Sequence, residues 1–364
     1  MIKHKETFAE GDKGVLLKGY SYSAQEFKRA RDANELICLR METNYNCNLR
    51  CRYCYSYDRR EGLDIQMSIE AARDVIDQGV KLGLRSIVYL GGGEPLVYNH
   101  FWPFMDYVSS QGVIPVVFTN GILTDQKTAD RMFGLGASLM TKLDALNEDV
   151  QNKLTGPETY QKIIAGLNTL LRAGFARKDG RYTRLGIGAC ATKINLNEIP
   201  KIWRFARDNN IFPNVELATE IGMATSDITL TMDEAYHLRK TLRKIDYEEY
   251  GNNWNMPHSS IAAHSCGIFL CGAAVTADGG VSLCPEMPAV ANLAEKPLSK
   301  IIAEPPFSEA RTIERHIEEP CKSCDSLETC LGGCRSKAVV QSKSMWACDP
   351  YCSILIESET NRKG

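Results

Sequence analysis

Cys47-Asn-Leu-Arg-Cys51-Arg-Tyr-Cys54 places three thiols at a CxxxCxxC spacing. Thiolates so close in sequence can converge on one small inorganic core. Three is one fewer than a four-iron, four-sulfur cube takes when protein alone closes it. The fourth iron would then stay open to a ligand that is not protein. The competing readings are a zinc knuckle and part of a disulfide framework. Zinc sites pair CxxC or CxxH units, and no partner pair lies nearby.

Outward from this loop, the sequence alternates between two periods. Residues 37–43 predict a strand that ends at the cysteine loop. Ser68 can cap a helix running to residue 82, with Ile69, Ala72, Ile76 and Val80 on one face. Further strands are expected at 86–90, 113–119, 137–143, 184–192 and 214–218. Helices are expected near 100–110, 125–133, up to 173, 197–209 and 232–245. Strand–helix alternation means parallel βαβ units. Six of them make an α/β fold, a partial (βα)6 barrel of the TIM type, with chemistry at the C-terminal ends of the strands. The cysteine loop, Gly91-Gly92-Gly93-Glu94-Pro95, Asn120 and Asp144 follow strands one to four in turn. The glycines admit a close backbone approach; a plain tight turn is the simpler reading.

The fifth strand alternates between Leu185, Ile187, Ala189 and Ala191 on one face and Gly186, Gly188, Cys190 and Thr192 on the other. Helices cover the outside of such a barrel and call for the larger apolar side chains. The small face, with Cys190, is therefore expected to line the lumen where a bulky cofactor needs room. Cys190 reads either as a small core cysteine or as a thiol that returns a hydrogen atom to a substrate radical.

Residues 246–262 carry turn formers and no periodicity, so they read as a linker. Beyond it the thiols return at Cys266, Cys271 and Cys284, with a hairpin turn at Ala277-Asp278-Gly279-Gly280. Cys321, Cys324, Cys330 and Cys334 follow at a CxxCxxxxxCxxxC spacing, then Cys348 and Cys352. The expected division is thus a leading segment (1–36), the barrel (37–245), the linker and a cysteine-rich region (263–364). Nine of the 14 cysteines fall in that last region. In a long chain without a secretion signal, such thiols suit metal or cluster binding better than disulfides. The net charge of −2 gives no general attraction to nucleic acid. No apolar run reaches the ~18 residues of a membrane span.

The CxxxCxxC loop, with an aromatic at Tyr53, resembles the signature of the radical S-adenosylmethionine (SAM) enzymes. Gly92-Gly93-Glu94-Pro95 matches their GGEP motif, and the downstream cysteines resemble the SPASM domain carried by many of them. The resemblance implies a SAM-binding 4Fe-4S cluster on Cys47, Cys51 and Cys54. SAM chelates the open iron, and one electron releases a 5′-deoxyadenosyl radical that abstracts hydrogen from a substrate C–H bond. It implies SAM contacts from Tyr53, Gly92, Gly93, Glu94, Asn120, Lys142 and Asp144. Many relatives carry Ser where Lys142 stands, and a simple ion pair is the alternative role for this residue. It implies two auxiliary 4Fe-4S clusters, one on Cys266, Cys271, Cys284 and Cys334, the other on Cys321, Cys324, Cys330 and Cys352. Cys348 competes for the last position.

Closed auxiliary clusters suit electron removal and hence a net oxidation or cross-link, whereas a luminal Cys190 suits a redox-neutral epimerisation. In sulfatase-maturing relatives an Asp follows the cysteine equivalent to Cys284. Here Pro285 follows, leaving Glu286 as the candidate base. The resemblance favours a peptide or protein substrate; a dehydrogenase or epimerase of a small sugar or aminocyclitol is the alternative. A non-catalytic iron–sulfur or zinc protein is the reading from another class. An external electron donor of flavodoxin or ferredoxin type and a cytoplasmic location at low oxygen complete the expectation.

Overall fold

A computed structural model describes residues 14–60, 65–90, 92–254 and 266–356. Gly91, residues 255–262 of the expected linker and both chain ends lie outside these residues. Main-sheet strands and helices of at least eight residues are numbered here in chain order. After α1 (Ala24–Asp32) come β1 (Cys38–Met41), α2 (Ile69–Lys81), β2 (Ser86–Tyr89), α3 (Phe101–Ser110) and β3 (Ile114–Thr119). Then follow α4 (Gln126–Gly134), β4 (Ser138–Lys142), α5 (Glu148–Thr155), α6 (Tyr160–Arg172), β5 (Leu185–Ala191), α7 (Ile199–Asp208), β6 (Phe212–Leu217) and α8 (Met232–Tyr250). The helix starts follow from local chemistry. The Ser68 hydroxyl accepts from the Ala71 N–H, and the Asp125 carboxylate from the Thr128 N–H.

β1 to β6 pair in parallel and in chain order, as the alternation predicts. β1 and β6 do not pair with each other, so the barrel is partial. The register assigns the two faces. Arg40 pairs with Val88, Phe118 with Met140, Lys142 with Gly188 and Cys190 with Glu216, all on one face. The alternate residues Leu39, Ile87, Val117, Leu139, Ile187 and Val215 are fully buried under the helices. Each such side chain contributes about 1.5–3 kcal/mol. The face left for the lumen is therefore the one carrying the charges.

Gly188 and Cys190 do lie on that inner face and are half-buried, while Leu185, Ile187, Ala189 and Ala191 are buried. The room left by Gly186 is nevertheless already taken. A Cβ there would meet the Met140 sulfur at 2.7 Å. The small residues in the lower part of β5 make space for a neighbouring methionine, and only the upper part opens inward.

Three features differ from the expected division of the chain. First, α8 continues to Tyr250, five residues into the expected linker. Its Asp246 is buried and accepts from both indoles, Trp203 Nε1 and Trp254 Nε1, each at 2.7 Å. Second, the cysteine-rich region joins the barrel sheet. β7 (Gly272–Val275) pairs in parallel with β1, and β8 (Gly280–Ser282) and β9 (Ala291–Asn292) add antiparallel outside it. The β7–β8 hairpin turns at the predicted Ala277–Gly280 stretch. At the other edge, Lys337 on α9 (Arg335–Ser342) donates to the Leu217 carbonyl at 3.0 Å. Third, the leading segment packs into the lower end of the lumen. The Tyr20 ring lies 5.7 Å from that of Phe118 and 5.9 Å from that of Phe212, centroid to centroid. Tyr22 bonds the Ser86 hydroxyl at 2.7 Å.

Candidate active site

The GGEP turn is stitched to the cysteine loop by backbone bonds. Gly93 N–H donates to Asn44 O at 3.0 Å and Glu94 N–H to Asn46 O at 2.8 Å. The Ser56 hydroxyl donates to Gly92 O. Gly92 has φ +73°, and a Cβ on Gly93 would come within 1.9 Å of Asn46 O. This close approach, just ahead of Cys47, is the reason glycine is required there. The Glu94 carboxylate is buried and accepts from the Thr119 hydroxyl at 2.6 Å and the Asn120 N–H at 2.8 Å. Burial pushes its pKa up, and these bonds oppose the shift. Glu94 thus ties the second strand end to the third. Asn120 continues the tie, its Nδ2 donating to Asn48 Oδ1 at 2.7 Å.

The strand ends beyond form one polar knot around Asp144, which is fully buried. Its carboxylate accepts from the Tyr53 hydroxyl and from the Cys190 N–H at 2.8 Å, and Lys142 Nζ stands 3.4 Å away. The same ammonium lies 4.5 Å from the centroid of the Tyr53 ring, so that ring face is already covered by a cation. Gln151 and Asn195 complete the knot. Gln151 Oε1 accepts the Asp144 N–H, and Asn195 Nδ2 bridges the carbonyls of Asp144 and Cys190. Burial pushes the Cys190 thiol well above its usual range, and Lys142 opposes this.

One layer on, Glu216 is exposed although the rest of β6 is buried. On the inner face of a parallel strand, that exposure is to the interior space. Enclosure within that space, despite its accessible surface, raises its carboxyl, with Lys337 and Arg40 opposing and Glu286 adding to the rise. Lys337 also donates to the Thr219 hydroxyl at 2.7 Å, and Glu286 accepts from Ser336 at 2.9 Å and Thr219 at 3.3 Å. Glu286, the candidate base, is therefore already held by two hydroxyls.

All fourteen cysteines are free thiols, so the disulfide reading falls away. Cys321, Cys324, Cys330 and Cys352 line one small cavity with Leu327 and Asp349. Cys348 is not on that wall; its sulfur sits 2.8 Å from that of Cys321. Cys266 and Cys334 both act electrostatically on Cys284, and Arg40 donates to the Cys266 sulfur at 3.5 Å. Cys271, expected to join them, is turned the other way, its thiol donating to Phe27 O at 3.4 Å. A cavity of about 620 Å³ lies elsewhere, between Arg31, Asn34, Ser299 and Arg311, and holds none of the predicted site residues.

Comparison with known proteins decides what this geometry belongs to. A model of the radical SAM superfamily matches residues 41–188, and one of an iron-sulfur cluster-binding domain, SPASM, matches 266–325. The chain belongs to the radical SAM superfamily. It is 23% identical over 361 residues to mycofactocin maturase MftC of Mycolicibacterium smegmatis, covering 90% of this chain and 85% of MftC. It is 24% identical to the PqqA peptide cyclase of Granulibacter bethesdensis, covering 86% of each. The fold matches that of Streptococcus suis SuiB bound to precursor peptide SuiA with a TM-score of 0.68 at 16% identity, over 89% of this chain and 77% of SuiB.

This radical SAM enzyme presents donors suited to iron. The Cys47 sulfur accepts the Leu49 N–H at 3.4 Å, and the Cys54 sulfur accepts from Arg60 at 3.5 Å. Burial pushes the Cys51 thiol up to about 12, with Lys142 opposing. A thiol so placed ionises only beside compensating positive charge, which iron supplies. Residue-by-residue reading missed Arg40, Gln151, Asn195, Glu216 and Lys337. For Arg40 and Glu216 a signal existed: a charged residue inside a short, otherwise apolar strand of a parallel barrel has only the lumen to face.

Proposed function

We propose that this radical SAM enzyme modifies a peptide, abstracting hydrogen from one of its C–H bonds. The observation that carries the reading is the inner face of the barrel. Arg40, Lys142, Cys190 and Glu216 all lie on that face, and β1, which carries Arg40, leads into the cysteine loop. A polar lumen of this kind can hold backbone amides as well as a charged side chain. The relatives support the same class: one is named a peptide cyclase, and SuiB is solved with a precursor peptide.

The bound cofactor supplies the hydrogen abstraction, which no acid–base pair performs near neutral pH. Cys47, Cys51 and Cys54 hold its cluster, and the Asp144 knot with Tyr53, Lys142 and Asn120 shapes the space beside them. Cys321, Cys324, Cys330 and Cys352 hold the outer auxiliary cluster, with Cys352 rather than Cys348 as last ligand. In an inversion Cys190, on the luminal wall, would return the hydrogen atom; in an oxidation Glu216 and Glu286 would be the proton acceptors. An external donor of flavodoxin or ferredoxin type supplies the electron, and the enzyme works in the cytoplasm. Among the described residues no helix is long and apolar enough to cross a membrane.

Anaerobically purified enzyme with dithionite and SAM tests this directly. 5′-Deoxyadenosine should form slowly alone and at least tenfold faster with a peptide encoded beside the gene. Mass spectrometry in D2O then separates the outcomes. Loss of two hydrogens marks oxidation; gain of one deuterium, abolished in Cys190→Ala, marks inversion. Acceleration by aminocyclitols or sugars and by no peptide would overturn the substrate class.

A further inference from the structure

Two arginines follow the cysteine loop side by side, and the fold sends them in opposite directions. The Ser56 hydroxyl donates to Gly92 O, and Tyr57–Arg59 then form a short 3-10 helix. Arg60 ends that helix, its N–H donating to Tyr57 O at 2.8 Å. Arg59 turns toward the C-terminal region. Its Nη1 donates to the buried Glu42 carboxylate at 2.8 Å and its Nη2 to Pro285 O at 2.9 Å. Arg60 folds back over the loop. Its Nη2 donates to Leu49 O at 2.9 Å and Cys47 O at 3.4 Å, and its Nη1 reaches the Cys54 sulfur at 3.5 Å.

Of the cations around the loop, Arg60 is the one left uncompensated. Glu42 answers Arg59, and Asp144 stands 3.4 Å from Lys142, the cation over the Tyr53 ring. No described carboxylate pairs with Arg60. Arg50 donates to the same two carbonyls, Cys47 O at 3.2 Å and Leu49 O at 3.1 Å, but it is exposed and bonds no described sulfur. Water and salt screen the charge of Arg50, whereas Arg60 lies half-buried against the loop.

An iron–sulfur cluster that takes up an electron gains negative charge on its sulfurs, and a fixed cation within hydrogen-bonding reach stabilises that state. The bond from Arg60 to Leu49 O does not involve the sulfur, so it anchors the guanidinium in either redox state. We propose that Arg60 is a positioning residue for the cluster of Cys47, Cys51 and Cys54, acting through the Cys54 sulfur to raise the potential at which that cluster is reduced. Mere closure of the loop is the competing role, and Arg50 would share it.

Redox titration of the anaerobic holoenzyme, followed by EPR, separates the two. The signal that changes on adding SAM reports the barrel cluster, and signals indifferent to SAM serve as the reference. Arg60→Gln keeps a donor for Leu49 O and removes the charge. The midpoint of the SAM-sensitive signal should move to more negative potential, while the reference signals stay in place. Arg60→Lys, which keeps the charge, should recover most of that shift, and Arg50→Gln should move the midpoint far less. An unchanged midpoint in Arg60→Gln, or an equal shift in Arg50→Gln, overturns the proposal. Arg60→Met, with the same expectation, serves where Arg60→Gln does not fold. No substrate enters the titration, so a failure here leaves the peptide reading standing.

Discussion

Asp144 is the residue on which most of the site's polar contacts meet. Tyr53, Lys142 and the Cys190 N–H share its two buried oxygens. Removing the carboxylate strands a mostly buried ammonium. Asp144→Ala should therefore lower stability by about 3–5 kcal/mol, and Asp144→Asn by less, in anaerobic urea titrations. A loss below about 1 kcal/mol in the alanine variant would show that Lys142 has another adequate partner. Asp144, Lys142 and Asn120 were legible in the sequence because each closes a predicted strand, where the period changes from two to 3.6. Their partners were not. Gln151 and Asn195 reach the knot from a helix and a loop whose positions the sequence leaves open, and Lys337, which serves the Glu216 layer beside it, comes from a region nearly 200 residues downstream.

Among the elements, the cysteine loop depends on the turn after β2. Any side chain at Gly93 displaces Asn46, whose neighbour is the first cluster thiol. Gly93→Ala should fold but reconstitute with roughly a third less iron, since only the barrel cluster of three is disturbed. Iron analysis with circular dichroism checks both halves of that statement. The loop after β4 is held by Glu198 at the start of α7. Its carboxylate accepts the N–H groups of Leu146 and Asn147, each at 3.0 Å, and pairs with Lys201 at 2.6 Å. Although burial opposes it, these partners hold the Glu198 carboxyl below its usual range. A carboxyl lowered in the folded state adds stability above its unfolded pKa and loses it as pH falls through the folded value. Glu198→Gln should thus cost about 1 kcal/mol at pH 7, and the gap from wild type should close below about pH 4. A gap constant from pH 7 to 3 would contradict the assignment. Element order was readable in advance because capping residues such as Ser68 and Asp125 act within one turn of chain. The end of α8 was not, because Asp246 and Trp254 stabilise it through tertiary contacts with Trp203 that local composition cannot disclose.

At the scale of the molecule, the cysteine-rich region covers both open sides of the barrel sheet, with β7 along β1 and Lys337 at the end of β6. Uncovered parallel strands pair with other copies. A chain ending at Tyr250 should therefore be found in the insoluble fraction, and a monodisperse barrel fragment in sedimentation would refute the dependence. The cysteine spacing announced the region's chemistry and not its seat. Gly272-Ala-Ala-Val275 is a short apolar stretch that could have paired inside its own domain. The leading segment was read only as weakly periodic, yet Tyr20 spans from β3 to β6 and its hydroxyl reaches Asn214 at 3.5 Å. That tyrosine works as a stopper in the floor of the vessel. Traffic through that end is thereby hindered, and reactants and products are expected to pass at the rim beside the cysteine loop.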